Sequence, residues 1–146
     1  MTGNTVKSPQ LLAQRRAKHA WDRIVEVTQF PTDRQKEEYA REAKKLPTRI
    51  MAAGLGQALA FLLAKAKGKS DKPKTHLKKL HDDLTAWLRE RPLPLKKNES
   101  LLESLIQDGG DFARRATDEV LAYLQWLNRF AEAELKFNLH EAESED

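Results

Sequence analysis

The sequence predicts an all-α protein, a compact helical bundle of five to six helices with no sheet. Three observations predict it. Apolar residues recur at spacings of three and four along most of the 146 residues, which places them on one face of a helix. No stretch alternates apolar and polar residues with the β-branched enrichment of a strand. Proline, glycine and capping residues punctuate the periodic segments where helices should start and stop.

The first helix is expected to begin near Ser8-Pro9, a capping residue followed by proline at the first helical position. Its stripe is Ala13, Ala17, Ala20, Ile24 and Val27, widened by Trp21, and it ends before Phe30-Pro31. A second helix starts at Thr32, buries Tyr39, Ala43 and Leu46, and turns Glu37, Glu38, Arg41, Lys44 and Lys45 to water. Pro47 is read as a restart, because proline inside a helix removes a hydrogen bond and crowds the preceding turn. The third helix, Pro47 to Lys67, is apolar on nearly every side, with Ile50, Met51, Leu55, Leu59 and Phe61 among its residues. Such a helix belongs at the centre of a bundle. Gly54 and Gly56 within it are expected to admit close approach of a neighbouring helix.

Lys65 to Lys74 reads as a lysine-rich loop, with Gly68 and Pro73. A fourth helix, Thr75 to Arg91, buries Leu77, Leu80, Leu84 and Trp87 or Leu88. Pro92 and Pro94 stop it. Glu99 to Gln107 forms a short helix around Leu102, Leu105 and Ile106. Asp111 is placed as the N-cap of the last helix, which runs to about Leu139. Residues 1–140 are expected to make one bundle domain, and the acidic tail 141–146 to fray.

The absence of cysteine excludes disulfides and thiolate metal sites, and suits a reducing, cytoplasmic compartment. The longest uncharged run, Ile50 to Ala64, is too short to cross a bilayer as a helix, so no membrane partner is expected. Residues 1–97 hold 22 Lys and Arg against 10 Asp and Glu, whereas residues 98–146 hold 4 against 12. A basic front and an acidic back form a dipole able to meet a polyanion on one side and a basic neighbour on the other.

No catalytic constellation is legible. No two histidines lie three or four residues apart, and His81 with Asp82 and Asp83 is the only dense group of ligand-type residues, so no metal and no cofactor are expected. Gly54-Leu55-Gly56 follows no strand, and no serine lies in a nucleophile elbow. Trp21, Trp87 and Trp126 fall on or beside apolar stripes and are assigned to packing. The basic residues remain. Lys44, Lys45 and Arg49 cluster at the Pro47 junction, and seven lysines lie between Lys65 and Lys79. Cations without an evident stacking platform favour contact with a nucleic-acid backbone over base readout.

Three segments carry a family resemblance. They are Ala13-Gln-Arg-Arg-Ala-Lys-His-Ala-Trp-Asp-Arg-Ile24, the run from Glu38 to Phe61 with its Leu46-Pro-Thr-Arg-Ile50 and Gly54-Leu-Gly-Gln-Ala-Leu-Ala-Phe61, and Arg115 to Leu135 with Trp126-Leu-Asn-Arg-Phe-Ala131. In these the chain resembles the small helical subunit of the type III-B (Cmr-type) CRISPR effector complex. The resemblance implies a non-catalytic subunit in antiviral defence. Copies of it would stack beside the subunits that hold the guide RNA, and would line the channel for single-stranded target RNA. Other subunits, further copies of itself and target RNA are the implied partners, with guide RNA as a further candidate. Arg15, Arg16, Lys18, Lys44, Lys45, Arg49, Arg114 and Arg115 lie in or beside the matching segments and are the candidate phosphate contacts. The alternative is a helix-turn-helix regulator built on the helix pair around Pro47, whose second helix would have to read base edges.

Overall fold

In the computed structural model the described residues are 10–68, 72–90, 93, 95, 96 and 98–135. Among them are six helices and no strand. They are α1 (Gln10–Val27), α2 (Asp33–Ala53), α3 (Leu55–Lys67), α4 (Thr75–Glu90), α5 (Leu101–Gln107) and α6 (Gly110–Leu135). The expected start at Ser8, the extension to Leu139 and the tail 141–146 lie outside the described residues. Among the described residues no helix is long and apolar enough to cross a membrane.

The helices bury their stripes in one apolar core. α2 touches α3, α4 and α6, while α1 lies along α6. The pairs Arg16–Glu119, His19–Tyr123 and Trp21–Phe130 advance together, so α1 and α6 run parallel. Asn128 against Ala43, and Glu132 against Lys44, place α2 alongside the C-terminal half of α6. Leu46, Leu59, Leu80, Leu88, Val120 and Leu127 are fully excluded from solvent. Each such side chain stabilises the fold by roughly 1.5–3 kcal/mol relative to exposure. Trp87 stacks on Tyr123 with ring centroids 5.5 Å apart, and His19 Nδ1 meets the Tyr123 hydroxyl at 2.5 Å. Trp21 and Trp126 do not join this interior; both remain more than a third exposed beside Phe130.

The central helices depart from the sequence expectation. α2 does not stop at Pro47 but continues through it to Ala53. The missing proline N–H would have bonded the Ala43 carbonyl one turn back. Asn128 of α6 supplies the replacement, donating through Nδ2 to the Ala43 carbonyl at 3.0 Å. The actual break is Gly54, whose φ of 91° and ψ of 157° lie in a region essentially reserved for glycine. No atom comes within 4 Å of a Cβ built at Gly54 or Gly56, so neither serves a close helix approach. With the break moved, the expectation of a wholly interior helix fails along one whole side, from Met51 through Gln57, Ala60 and Phe61 to Ala64. Leu55 and Leu59 are buried, but Met51 is 76% and Phe61 50% exposed.

The smaller elements follow local rules. Thr32 caps α2, its hydroxyl accepting from the Gln35 N–H at 3.1 Å. Ser100 and Glu103 form a reciprocal capping box at α5, which buries Leu101 and Ser104 and leaves Ile106 exposed. α6 begins at Gly110, so Asp111 sits in its first turn and not at its cap. Both Trp87 and Leu88 are buried on α4.

Candidate nucleic-acid interface

The candidate contacts fall into three groups. On α2, Lys44, Lys45, Thr48 and Arg49 line a shallow hollow of ≈ 440 Å³. Helical spacing puts these side chains on one flank, because residues three and four apart are neighbours on a helix surface. Beneath them lies Glu42, almost fully buried. Arg49 donates to its Oε1 at 2.6 Å, and Lys65 from α3 donates to Oε2 at 2.5 Å. Burial pushes the Glu42 carboxyl up, but the hydrogen bonds from Lys65 and Arg49 outweigh it and hold the group ionised below its ordinary range. Burial pulls the Lys45 ammonium down; Glu42 opposes that, while Lys65, Arg49 and Arg41 add to it. Lys44 reaches Glu132 at 3.7 Å. Arg41, Lys44, Lys45, Arg49 and Lys65 thus gather in the region of Glu42 and Glu132.

Phe61 completes this region from α3. The Arg49 guanidinium lies over its ring, 4.6 Å from the centroid, and the Lys65 ammonium lies at 5.8 Å. An apolar run assigns Phe61 to the core when only its neighbours in sequence are considered. The helical phase holds the contrary signal: Leu55, Ala58, Leu59, Leu62 and Ala66 trace one buried stripe, and Phe61 stands about 100° off Leu62. Lys65 reads as part of a lysine-rich loop, yet it belongs to the last turn of α3.

The second group is on α1. Arg16 is committed inward: it makes a bidentate pair with Glu119 at 2.6 and 2.9 Å, and that carboxylate also accepts from Trp87 Nε1 at 2.9 Å. The hydrogen bond to Glu119 raises the Arg16 pKa against burial. Arg15 and Lys18 stay outside, beside Asp22, Arg23 and Glu90 in a hollow of ≈ 270 Å³. Lys18 is paired with Asp22 at 2.7 Å, so charge there is nearly balanced. The third group, Arg114 and Arg115, opens α6 and shares Asp111, at 2.6 and 4.0 Å. The structure therefore brings Lys44, Lys45 and Arg49 together and leaves the others apart from them.

The acidic group around His81 is divided. His81 pairs with Asp82 at 3.0 Å, while Asp83 turns to Tyr39 at 2.6 Å and Lys79 at 2.8 Å. Among the described residues no three His, Asp or Glu side chains converge as ligands for a metal.

Comparison with known proteins joins these observations to a family. Residues 12–134 match the model of the CRISPR-associated protein family Cas_Cmr5. That span holds α2, the cationic hollow and the three segments that carry the sequence resemblance almost entire. The chain is also similar to the CRISPR system Cmr subunit Cmr5 of Thermus thermophilus, with 38% identity over 96 residues. This likeness covers 66% of the chain and 74% of the relative. A helical bundle with this extent of likeness leaves no ambiguity of kinship: the chain belongs to the Cmr5 family of CRISPR-associated proteins.

Proposed function

We propose that the chain is a non-catalytic structural subunit of a type III-B CRISPR effector complex, where it contacts the phosphate backbone of single-stranded RNA. Family membership supports the assembly role, with other subunits and further copies of the chain as partners. The observation that carries the RNA reading is the hollow lined by Lys44, Lys45, Thr48 and Arg49. A cluster of cations on one helix flank, with a hydroxyl between them, is the chemistry that holds phosphodiesters without reading sequence. Arg15, Lys18, Arg114 and Arg115 are secondary contacts, since each lies apart from the main hollow. Arg16 does not belong with them, because Glu119 occupies its guanidinium.

The test is target-RNA binding by the assembled complex carrying Lys44→Ala, Lys45→Ala and Arg49→Ala together. Affinity should fall, and the slope of log K against log salt should flatten by about 0.7 for each phosphate that is no longer neutralised. Unchanged affinity and slope would remove this hollow from RNA binding. The helix-turn-helix alternative is weakened by what α3 shows to solvent. Its exposed positions Gln57, Ala60, Phe61, Ala64 and Lys67 are mostly apolar and offer only two polar side chains for base edges. Duplex DNA bound more tightly than single-stranded RNA would revive it.

A further inference from the structure

Next to the cationic hollow lies a second one of ≈ 310 Å³, lined by Arg49, Ala52, Ala53, Gln57, Ala58 and Phe61. Its chemistry differs. Three alanines give a floor of methyl groups with little relief, and Phe61 supplies an aromatic ring half open to solvent. Gln57 is exposed and brings one amide, a donor and an acceptor together. The break at Gly54 creates the arrangement. It ends α2 at Ala53 and restarts the chain as α3, so that Gln57 and Phe61 come to stand beside Arg49. Arg49 lines both hollows.

We propose that the α2–α3 junction is a subsite for one unpaired nucleotide, with its base against Phe61 in the alanine-floored hollow and its phosphate in the hollow of Lys44, Lys45 and Arg49. This rests on the RNA-contact reading above and adds a base to it. Arg49 covers part of the half-exposed ring, and the part left open is a stacking surface that accepts any base, because every base has a π face. The Gln57 amide lines the same space and can meet a base edge as donor and acceptor at once. A base held this way must be out of a duplex, so the ligand is single-stranded or locally unstacked RNA. The alanines matter as much as the ring, since larger side chains at 52, 53 or 58 would fill the space a base needs.

The test uses the full chain and two strands of equal length. One is an oligoadenylate with a central 2-aminopurine; the other is the matching strand whose riboses carry no base. Wild type should bind the base-bearing strand roughly ten-fold more tightly, with quenching of 2-aminopurine fluorescence. Phe61→Ala should abolish that difference and the quenching while leaving the salt slope unchanged. Phe61→Trp should keep both, which separates loss of stacking from loss of folding. Equal wild-type affinity for the two strands, or a Phe61→Ala change that weakens both alike, overturns the base subsite. The phosphate reading fails separately, if Lys44→Ala with Lys45→Ala leaves binding of both strands unaltered. If wild type binds neither strand, both readings fall.

Discussion

Two buried glutamates in this bundle receive arginine, and they do different work. Glu119, between α1 and α6, takes both forks of Arg16 and the indole N–H of Trp87. Glu42, on α2, takes Arg49 and Lys65 while Arg41 and Lys45 lie close by and Lys44 reaches out to Glu132. At the first site charge is matched and turned into the helix interface. At the second, one carboxylate draws Arg49 and Lys65 from two helices to the edge of a surface hollow. A glutamate can therefore close a helix interface or hold cations beside a surface hollow, and the placing of its partners decides which.

The largest effect that would sharpen this contrast is Glu119→Ala. It leaves the largely buried Arg16 guanidinium and the buried Trp87 N–H without their acceptor, which should cost about 3 kcal/mol in urea unfolding. RNA affinity of the folded fraction should not change. A loss of affinity matching that of the Lys44/Lys45/Arg49 variant would erase the distinction between the sites.

Gly54→Ala is expected next. A side chain at φ 91°, ψ 157° costs roughly 1–3 kcal/mol, so the melting temperature should fall and the Arg49–Phe61 arrangement should loosen. Gly56→Ala, inside α3 with open space at its Cβ, should instead stabilise by roughly 0.5–1 kcal/mol. Equal effects of the two would mean that the helix break is not set by Gly54.

Glu42→Gln should cost about 1 kcal/mol, because its partners reach water more easily than Arg16 does. Unlike Glu119→Ala, it should tighten single-stranded RNA binding and steepen the salt slope by freeing positive charge. Weaker binding would show that Glu42 chiefly positions Arg49 and Lys65.

The smallest effect is a separation in pH. Burial pulls the His19 imidazole below its ordinary 6.5, aided by Arg23, so folding disfavours its protonation. Its contribution is complete above 6.5 and is lost as pH falls through the lowered value. Glu42 has a depressed carboxyl pKa, so its contribution is complete above 4.5 and is lost only as pH falls through the folded value. Melting temperature followed from about pH 7 to about pH 3 should fall in two stages, and His19→Gln should shrink the first stage, leaving the part contributed by His81, which burial also pulls below 6.5.

Much of the fold is legible in the sequence because helical periodicity is local. The stripes of α1, α4 and α6, and the helix start at Thr32, need no knowledge of distant residues. Sequence reasoning fails where a distant group decides the outcome. Pro47 reads as a boundary unless Asn128, far along the chain, is known to serve the Ala43 carbonyl. Arg16 reads as a surface cation until Glu119, 103 positions away, is placed beside it. For the candidate site the near neighbours Lys44, Lys45 and Arg49 stand out from their spacing alone. Phe61 and Lys65 come from the next helix, and their approach depends on the turn at Gly54.

The proline in α2 has an evolutionary consequence. A carbonyl served by a side chain from another helix makes positions 47 and 128 one unit of variation. In related chains that carry proline at the first position, the second should retain an amide or another donor of similar reach. Where the proline is replaced, the asparagine should drift freely toward apolar residues. An alignment broad enough to sample both states would show the two columns changing together, though 81 positions separate them.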